Sequence, residues 1–464
     1  MSPPPGDTSA AAGGPGPVRR GLLSRTFRSL RIYNYRLFFF SQVVSMSGTW
    51  MQGVAQSWLV LQLSGSSVDL GITVGLQFGP VLVLGAWAGA LADRVDKRKL
   101  LLATQSAAAV LALVLGLLTV TDVVTVWMIW LLAALTGTAV ALGMPSQQSF
   151  VYEMVGPDDL ANAVGLNGVV INASRIAGPA LGGVLIASVG VAPCFLLNAA
   201  SFLAVIVALV LMRPAELFRG KPVSREKGQV REGFKYVWRT TELRVPLLML
   251  GIVSVMAYNY SVVLPLLTRD VFGRGGGAYG ALSAAMGAGA LVGALAMASR
   301  TRPSTRLLVA SAFAFGVVSL VLAVAPGYFV AGALLVGIGA AAMLFNGSTN
   351  SLLQLNAGHA MRGRVMSLWA VVFLGSTPLG GPITGLLVRG LGVRWAVAIG
   401  GLATLATAAF GYAALRRSRL EGGACEGPAC LPDEPFGGEA LAESVDLAEA
   451  DPEDWELAPP RAAR

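Results

Sequence analysis

The sequence predicts an all-α membrane protein whose twelve transmembrane helices form two pseudo-symmetric six-helix bundles. Of its 464 residues, 55% are apolar and 13% carry charge, with 57 glycines, a balance that soluble globular domains do not show. Crossing a hydrocarbon layer takes about 20 helical residues. Apolar stretches of that order recur at 36–62, 68–91, 100–120, 125–146, 163–189, 192–212, 245–268, 278–298, 306–325, 328–349, 365–388 and 394–415. Positive charge gathers in every second connection, at Arg19 to Arg36, Arg94 to Lys99, Arg213 to Arg244, Arg300 to Arg306, Arg362 and Arg364, and Arg416 to Arg419. That distribution holds those connections, and with them both termini, on the cytoplasmic side of the cell membrane.

Five segments follow. Residues 1–35 are expected to be a disordered basic lead, since a Pro/Gly/Ala-rich start runs into an apolar helix far longer than a signal-peptide core. Residues 36–212 form the first bundle, 213–244 a cytoplasmic linker, 245–415 the second bundle and 416–464 a disordered acidic tail. From Glu421 onward there are twelve acids against Arg461 and Arg464, so 32 bases face 13 acids upstream. The excess is topological: no soluble basic domain carries it, which excludes nucleic acid as a partner. Cys425 and Cys430 lie in the tail without His partners at metal-ligand spacing, and Cys194 begins a span, so no metal site and no cofactor are expected.

In the first span Gln42, Ser45, Thr49, Gln52 and Gln56 fall within roughly 80° of arc at about 100° per residue. A polar face there lines a cavity or bonds neighbouring helices. Between the second and third spans stands Gly89-Ala-Leu-Ala-Asp93-Arg94-Val-Asp96-Lys97-Arg98-Lys99. Gly89 permits close helix approach, Asp93 sits where a helix ends, and Arg94, Lys97, Arg98 and Lys99 keep the turn cytoplasmic. The pattern resembles the signature loop between helices 2 and 3 of the major facilitator superfamily, Gly-x-Leu-Ala-Asp-Arg-x-Gly-Arg-Lys, with Asp96 where that family usually has Gly. The resemblance implies a gating role for the loop. The family often carries an Arg within helix 4 linked to proton coupling; residues 130–144 contain none.

The stretch 145–162 reads as a polar cytoplasmic turn, with Asp158 and Asp159 placed to complement a helix N-terminus. In the fifth span Asn167, Ser174, Arg175, Gly178 and Gly182 share one face. Gly165, Ser174, Gly178-Pro179 and Gly182-Gly183 resemble the helix-5 pattern of the superfamily's exporters, Ser174 replacing one Gly. With Leu160-Ala-Asn162-Ala and Arg362-Gly363-Arg364-Val-Met366-Ser367, the chain resembles the branch of enterobactin exporters and macrolide-efflux relatives. Small residues four apart are also the ordinary device for packing membrane helices. Arg175 lies about eight residues past Asn167, some 12 Å along the helix and near mid-membrane. An Arg there costs roughly 2.5–3.5 kcal/mol on insertion scales, so water, freed carbonyls, an anionic substrate group or a helix–helix clamp must compensate it.

In the linker Phe234, Val237 and Trp238 fall at helical spacing beside Arg231, Lys235 and Arg239, the pattern of a helix lying on the inner leaflet. At an offset of 203 residues, Gly178-Pro179 and Gly182 fall on Gly381-Pro382 and Gly385, so the halves are related and all six are expected to pack helices. Tyr258, Asn259 and Tyr260 interrupt the seventh span, and Asn346 and Asn350 stack one turn apart in the tenth; these are candidates to complete a central site. His359 reads as a solvated loop residue, not a proton relay. Gly275-Gly-Gly277 lacks a following Gly-Lys-Ser/Thr, so no nucleotide is bound.

No hydrolytic or redox constellation is present, and no enzyme is expected. The resemblance implies a secondary exporter of an amphipathic small molecule such as a siderophore, antibiotic or drug, coupled to a proton and working by alternating access. The neutral polar face suits a bulky neutral or anionic solute better than an organic cation. The competing readings are a metabolite importer and a transport-inactive sensor or scaffold acting through the acidic tail.

Overall fold

The computed structural model describes residues 27–218, 229–300, 304–358 and 361–423. The lead before Phe27, residues 219–228, His359, the tail with Cys425 and Cys430, and the side chains of Asp93 and Arg231 lie outside what is described. Every regular element among the described residues is helical. The first half contains α1 (Tyr33–Ser64), α2 (Ser67–Arg94), α3 (Lys97–Val120), α4 (Val126–Ser188) and α5 (Ala192–Leu211). The linker helix α6 (Gln229–Arg239) follows. The second half contains α7 (Thr241–Ala257), α8 (Tyr260–Leu266), a π turn (Leu267–Val271), α9 (Gly276–Ala298), α10 (Thr305–Ala323), α11 (Tyr328–Asn356), α12 (Arg362–Gly375), α13 (Thr377–Leu391) and α14 (Val393–Gly423).

Among the described residues ten stretches are long and apolar enough to span a bilayer. Two features separate that number from the expected twelve. The polar face of α1 holds its average apolarity down, and α1 is not among the ten. The stretch 145–162 is not an open turn: α4 runs for 63 residues through it, with one non-helical residue, Gly156, at φ 70 and ψ −174. A straight helix of that length would reach about 95 Å, three times a hydrocarbon core. Gly156 supplies the reversal, and Pro157, fitted to a first helical turn, restarts the helix with Asp158 and Asp159 behind it.

Two expected spans are themselves interrupted. Tyr258 and Asn259 separate α7 from α8, and Ser376, followed by Thr377-Pro378, separates α12 from α13. A proline lacks the N–H that the ladder needs, which explains the second break. The two breaks adjoin: a Cβ on Gly380 would lie 2.6 Å from both the Val255 carbonyl oxygen and the Asn259 amide. Asn259, Tyr260, Ser319 and Thr384 help line a cavity of about 20 Å³ beside the first break, room for one water.

Helix α4 packs on α1, α2 and α3, and α5 on α1 and α3; in the second half α11 packs on α7, α9 and α10. Two further pairings, α2 with α13 and α4 with α9, join the halves. Both depend on glycine. A Cβ on Gly71 would come within 2.6 Å of the Gly381 carbonyl oxygen, and one on Gly280 within 2.4 Å of Gly183 Cα, so the helices approach backbone to backbone.

Candidate functional site

The signature loop is knitted into the first half. Asp96, the residue that departs from the family pattern, caps α3 by accepting a hydrogen bond from the Lys99 backbone N–H at 3.1 Å. Lys97 forms an ion pair with Glu153, one turn before the Gly156 reversal. Arg98 donates through Nε to the Leu209 carbonyl at 2.6 Å and through Nη2 to that of Val210 at 3.1 Å, so it caps the end of α5 with a cation. Arg94 is exposed and Gly89 is buried. Nearby, Arg28 pairs with Asp159 at 2.8 Å and the Tyr35 hydroxyl donates to the Ala163 carbonyl at 2.8 Å. The basic end of this half is thereby held together across α1, α3, α4 and α5.

The polar face of α1 divides. Gln42 accepts from Gln147 Nε2 at 3.2 Å, and Gln52 accepts from Asn198 Nδ2 at 2.6 Å, so both link helices inside the first half. Gln56 is buried, whereas Thr49 is exposed and returns its hydroxyl to the Ser45 carbonyl. Asn167 is half-buried on α4. Two turns on, Arg175 places its guanidinium carbon 5.2 Å from the centre of the Trp50 ring, and its Nε is shielded from solvent without a hydrogen-bond acceptor. Tyr258 of the second half stands within electrostatic range of it. The Tyr258 hydroxyl donates to the Ala342 carbonyl at 3.1 Å, and its ring packs edge-on against Phe315 and Phe373. Asn259 is buried and donates to the Val255 carbonyl at 2.7 Å. On α11, Asn350 accepts from Gln354 at 2.7 Å, while Asn346 Oδ1 is buried without a partner.

The six repeat residues pack helices in two different ways, and Pro179 already reaches the seam, its carbonyl oxygen 2.7 Å from where a Cβ on Gly280 of α9 would lie. Gly178 fits against the Ser47 carbonyl and Trp50, and Gly182 against Met51, both on α1 within the first half. Gly381 meets Gly71, Pro382 meets Gly75 and Gly385 meets Ser67, all on α2 across the seam between the halves.

That seam closes at the end of the molecule away from the signature loop. Ser67 Oγ donates to the Gly385 carbonyl at 2.8 Å, and Trp58 stacks on Tyr279 with ring centres 6.1 Å apart. Arg269, in the π turn after α8, donates to the carbonyls of Leu61 at 3.0 Å and Gly65 at 3.3 Å while holding Asp270 at 2.6 Å. Toward the signature-loop end, Gly79 and Gly85 of α2 and Gly165 and Gly168 of α4 face open space. Arg269, Trp58 and Tyr279 were not legible as site residues in the sequence. One signal was available: Arg269 and Arg274 put positive charge in a connection that the charge distribution assigns to the outside.

The family model described as transmembrane secretion effector matches residues 24–445. The chain belongs to this family of major facilitator transporters. It is similar to the Staphyloferrin A transporter of Staphylococcus aureus, with 25% identity over 83% of this chain and 97% of that one. It is 28% identical to the multidrug efflux pump Tap of Mycolicibacterium fortuitum, over 77% and 90% of the two chains. With the enterobactin exporter EntS of Escherichia coli it shares 25% identity over 76% and 84%. Among solved structures, a bacterial homologue of the human lysosomal transporter Spinster in an inward-facing, unoccupied conformation superposes with a TM-score of 0.66 at 16% identity, covering 86% of this chain and 99% of that one. The nucleoside transporter NupG superposes with a TM-score of 0.68 at 11% identity, over 82% and 99%. These likenesses establish the fold. The chain is a multi-pass membrane transporter and not an enzyme.

Proposed function

We propose that this transporter exports an amphipathic small molecule, of the class of siderophores, antibiotics or hydrophobic drugs, across the cell membrane by alternating access driven by proton antiport. The observation that carries the reading is the one-sided seam: glycine-to-glycine contacts between α2 and α13 and between α4 and α9 close one end, while Gly79, Gly85, Gly165 and Gly168 face open space toward the other. With α1 counted as a span and α4 as two, the chain has twelve spans in two bundles, 36–212 and 245–415. The basic connections support a cytoplasmic open end, and a conformation open there loads solute from inside or from the inner leaflet. In α6, Val237 is buried while Phe234 and Trp238 are exposed and stacked with centres 5.2 Å apart, which supports a linker lying on the inner leaflet. Relatives named as efflux pumps and as an exporter support the outward direction.

The test is accumulation of ethidium, erythromycin and a catecholate siderophore in cells stripped of their own efflux pumps. Expression is expected to lower the accumulation of at least one compound several-fold, and a protonophore to abolish the difference. Inside-out vesicles energised by a proton gradient fix the direction: uptake into them supports export, and uptake confined to right-side-out vesicles would overturn it.

A further inference from the structure

We propose that Arg175 is where the transported solute's anionic group, a carboxylate, is held, which rests on the exporter reading above. A guanidinium presents five N–H donors in a planar fork matched to a carboxylate. Among the described residues no carboxylate pairs with that fork, and its Nε is buried without an acceptor. Among the described residues the ion pairs lie at helix ends and in loops, as in Arg28–Asp159, Lys97–Glu153, Arg269–Asp270 and Glu232–Arg364, and none of them includes Arg175. The face of Trp50 attracts the cation but accepts no conventional hydrogen bond, and Nε is buried with none. Neighbouring polar groups bond elsewhere: Ser174 with Ser47 at 3.2 Å, and the Tyr258 hydroxyl with the Ala342 carbonyl. An acceptor from outside the chain completes the arrangement.

The location favours a solute over a structural anion. The Arg175 carbonyl lies against Gly287 of α9, where a Cβ would come within 2.6 Å of it, so this residue is itself part of the seam. Two turns further along α4 the backbones of Gly183 and Gly280 touch; two turns back Gly168 faces open space. Arg175 therefore sits where the halves diverge, at the inner limit of the open side. Tyr258, within electrostatic range of Arg175, begins an aromatic run through Phe373 to Trp369, the last two rings stacking at 5.4 Å and 7°. A cation beside aromatic surface suits a molecule with a carboxylate on an apolar body.

The full chain in nanodiscs would be titrated with 1-pyrenebutyrate and with the neutral 1-pyrenebutanol, read by tryptophan-to-pyrene energy transfer with empty nanodiscs subtracted. The wild type is expected to bind the carboxylate at least ten-fold tighter than the alcohol. Arg175→Gln is expected to remove that preference while leaving alcohol binding within two-fold, and Arg175→Lys, which keeps the charge but not the fork, to retain part of it. Absence of saturable carboxylate binding, equal affinity for the two probes in wild type, or a preference that survives in a folded Arg175→Gln would each overturn the proposal. Should the glutamine variant fail to fold, the lysine variant decides: an undiminished preference there rules out the bidentate fork. Efflux without the preference rejects the anion site alone, and the preference without efflux rejects the exporter reading alone.

Discussion

The two ends of the transporter are held by opposite kinds of contact. At the signature-loop end, Lys97, Arg98, Arg28 and Tyr35 bond within the first half. At the far end, Ser67, Trp58 and Arg269 bond across the halves. Arg98 and Arg269 show the difference in a single device. Each forks onto the last carbonyls of a helix, yet Arg98 caps α5 of its own half whereas Arg269 caps α1 from the other half. A rigid half needs internal caps; a gate needs caps that part. In the proposed alternating-access cycle, the free energy of closing the far end is matched, within a few kcal/mol, by contacts that form at the basic end in the opposite state.

The largest break in this comparison comes from filling the seam. Gly280→Leu would drive a side chain into the Gly183 backbone, which cannot yield, so transport is expected to fall more than 100-fold at near-normal membrane abundance. Efflux normalised to surface protein checks it, and retained transport would mean that the seam need not close.

Arg269→Gln should act less strongly. It removes a charge-assisted cap on α1, a contact of about 1.5–3 kcal/mol where buried and less at this partly exposed position. The closed fraction is expected to drop up to ten-fold, visible as a longer electron–electron distance between spin labels at Ser64 and Arg274. An unchanged distance distribution would assign the closure to the glycine seam alone. The same change at Arg98 is expected to lower thermal stability without moving that distribution.

The smallest effect separates two residues of one helix face. Gln52→Leu leaves Asn198 without its partner and is expected to lower stability by about 1–2 kcal/mol and reduce all substrates together. Thr49→Leu, at an exposed position, is expected to leave stability unchanged and to shift relative efflux among compounds two- to five-fold. Thermal melts and efflux of the same compound set distinguish them.

Much of this architecture was legible because membrane insertion writes itself into sequence as apolar length and charge placement. The spans, the linker helix and the relation between Gly178-Pro179 and Gly381-Pro382 all follow from such patterns. Which partner each glycine meets did not follow, since Gly178 and Gly182 face their own half whereas Gly381 and Gly385 cross the seam. A one-dimensional repeat records spacing and not azimuth. The reach of α4 to Gly156 was hidden because 145–162 is polar, and polarity alone does not distinguish a turn from a helix end projecting into water. Arg175 stands out as a charge in an apolar run; Trp50, whose ring centre lies 5.2 Å from its guanidinium carbon, carries no such signal in the sequence.

The interruption at Tyr258 and Asn259 has a kinetic corollary. A continuous helix must rupture backbone bonds to bend, and each rupture raises the enthalpy of activation. Here the ladder is already interrupted, and the adjoining cavity has room for one water. Bending at this joint therefore adds little to the barrier, and turnover limited by it would decline gently on cooling instead of freezing out.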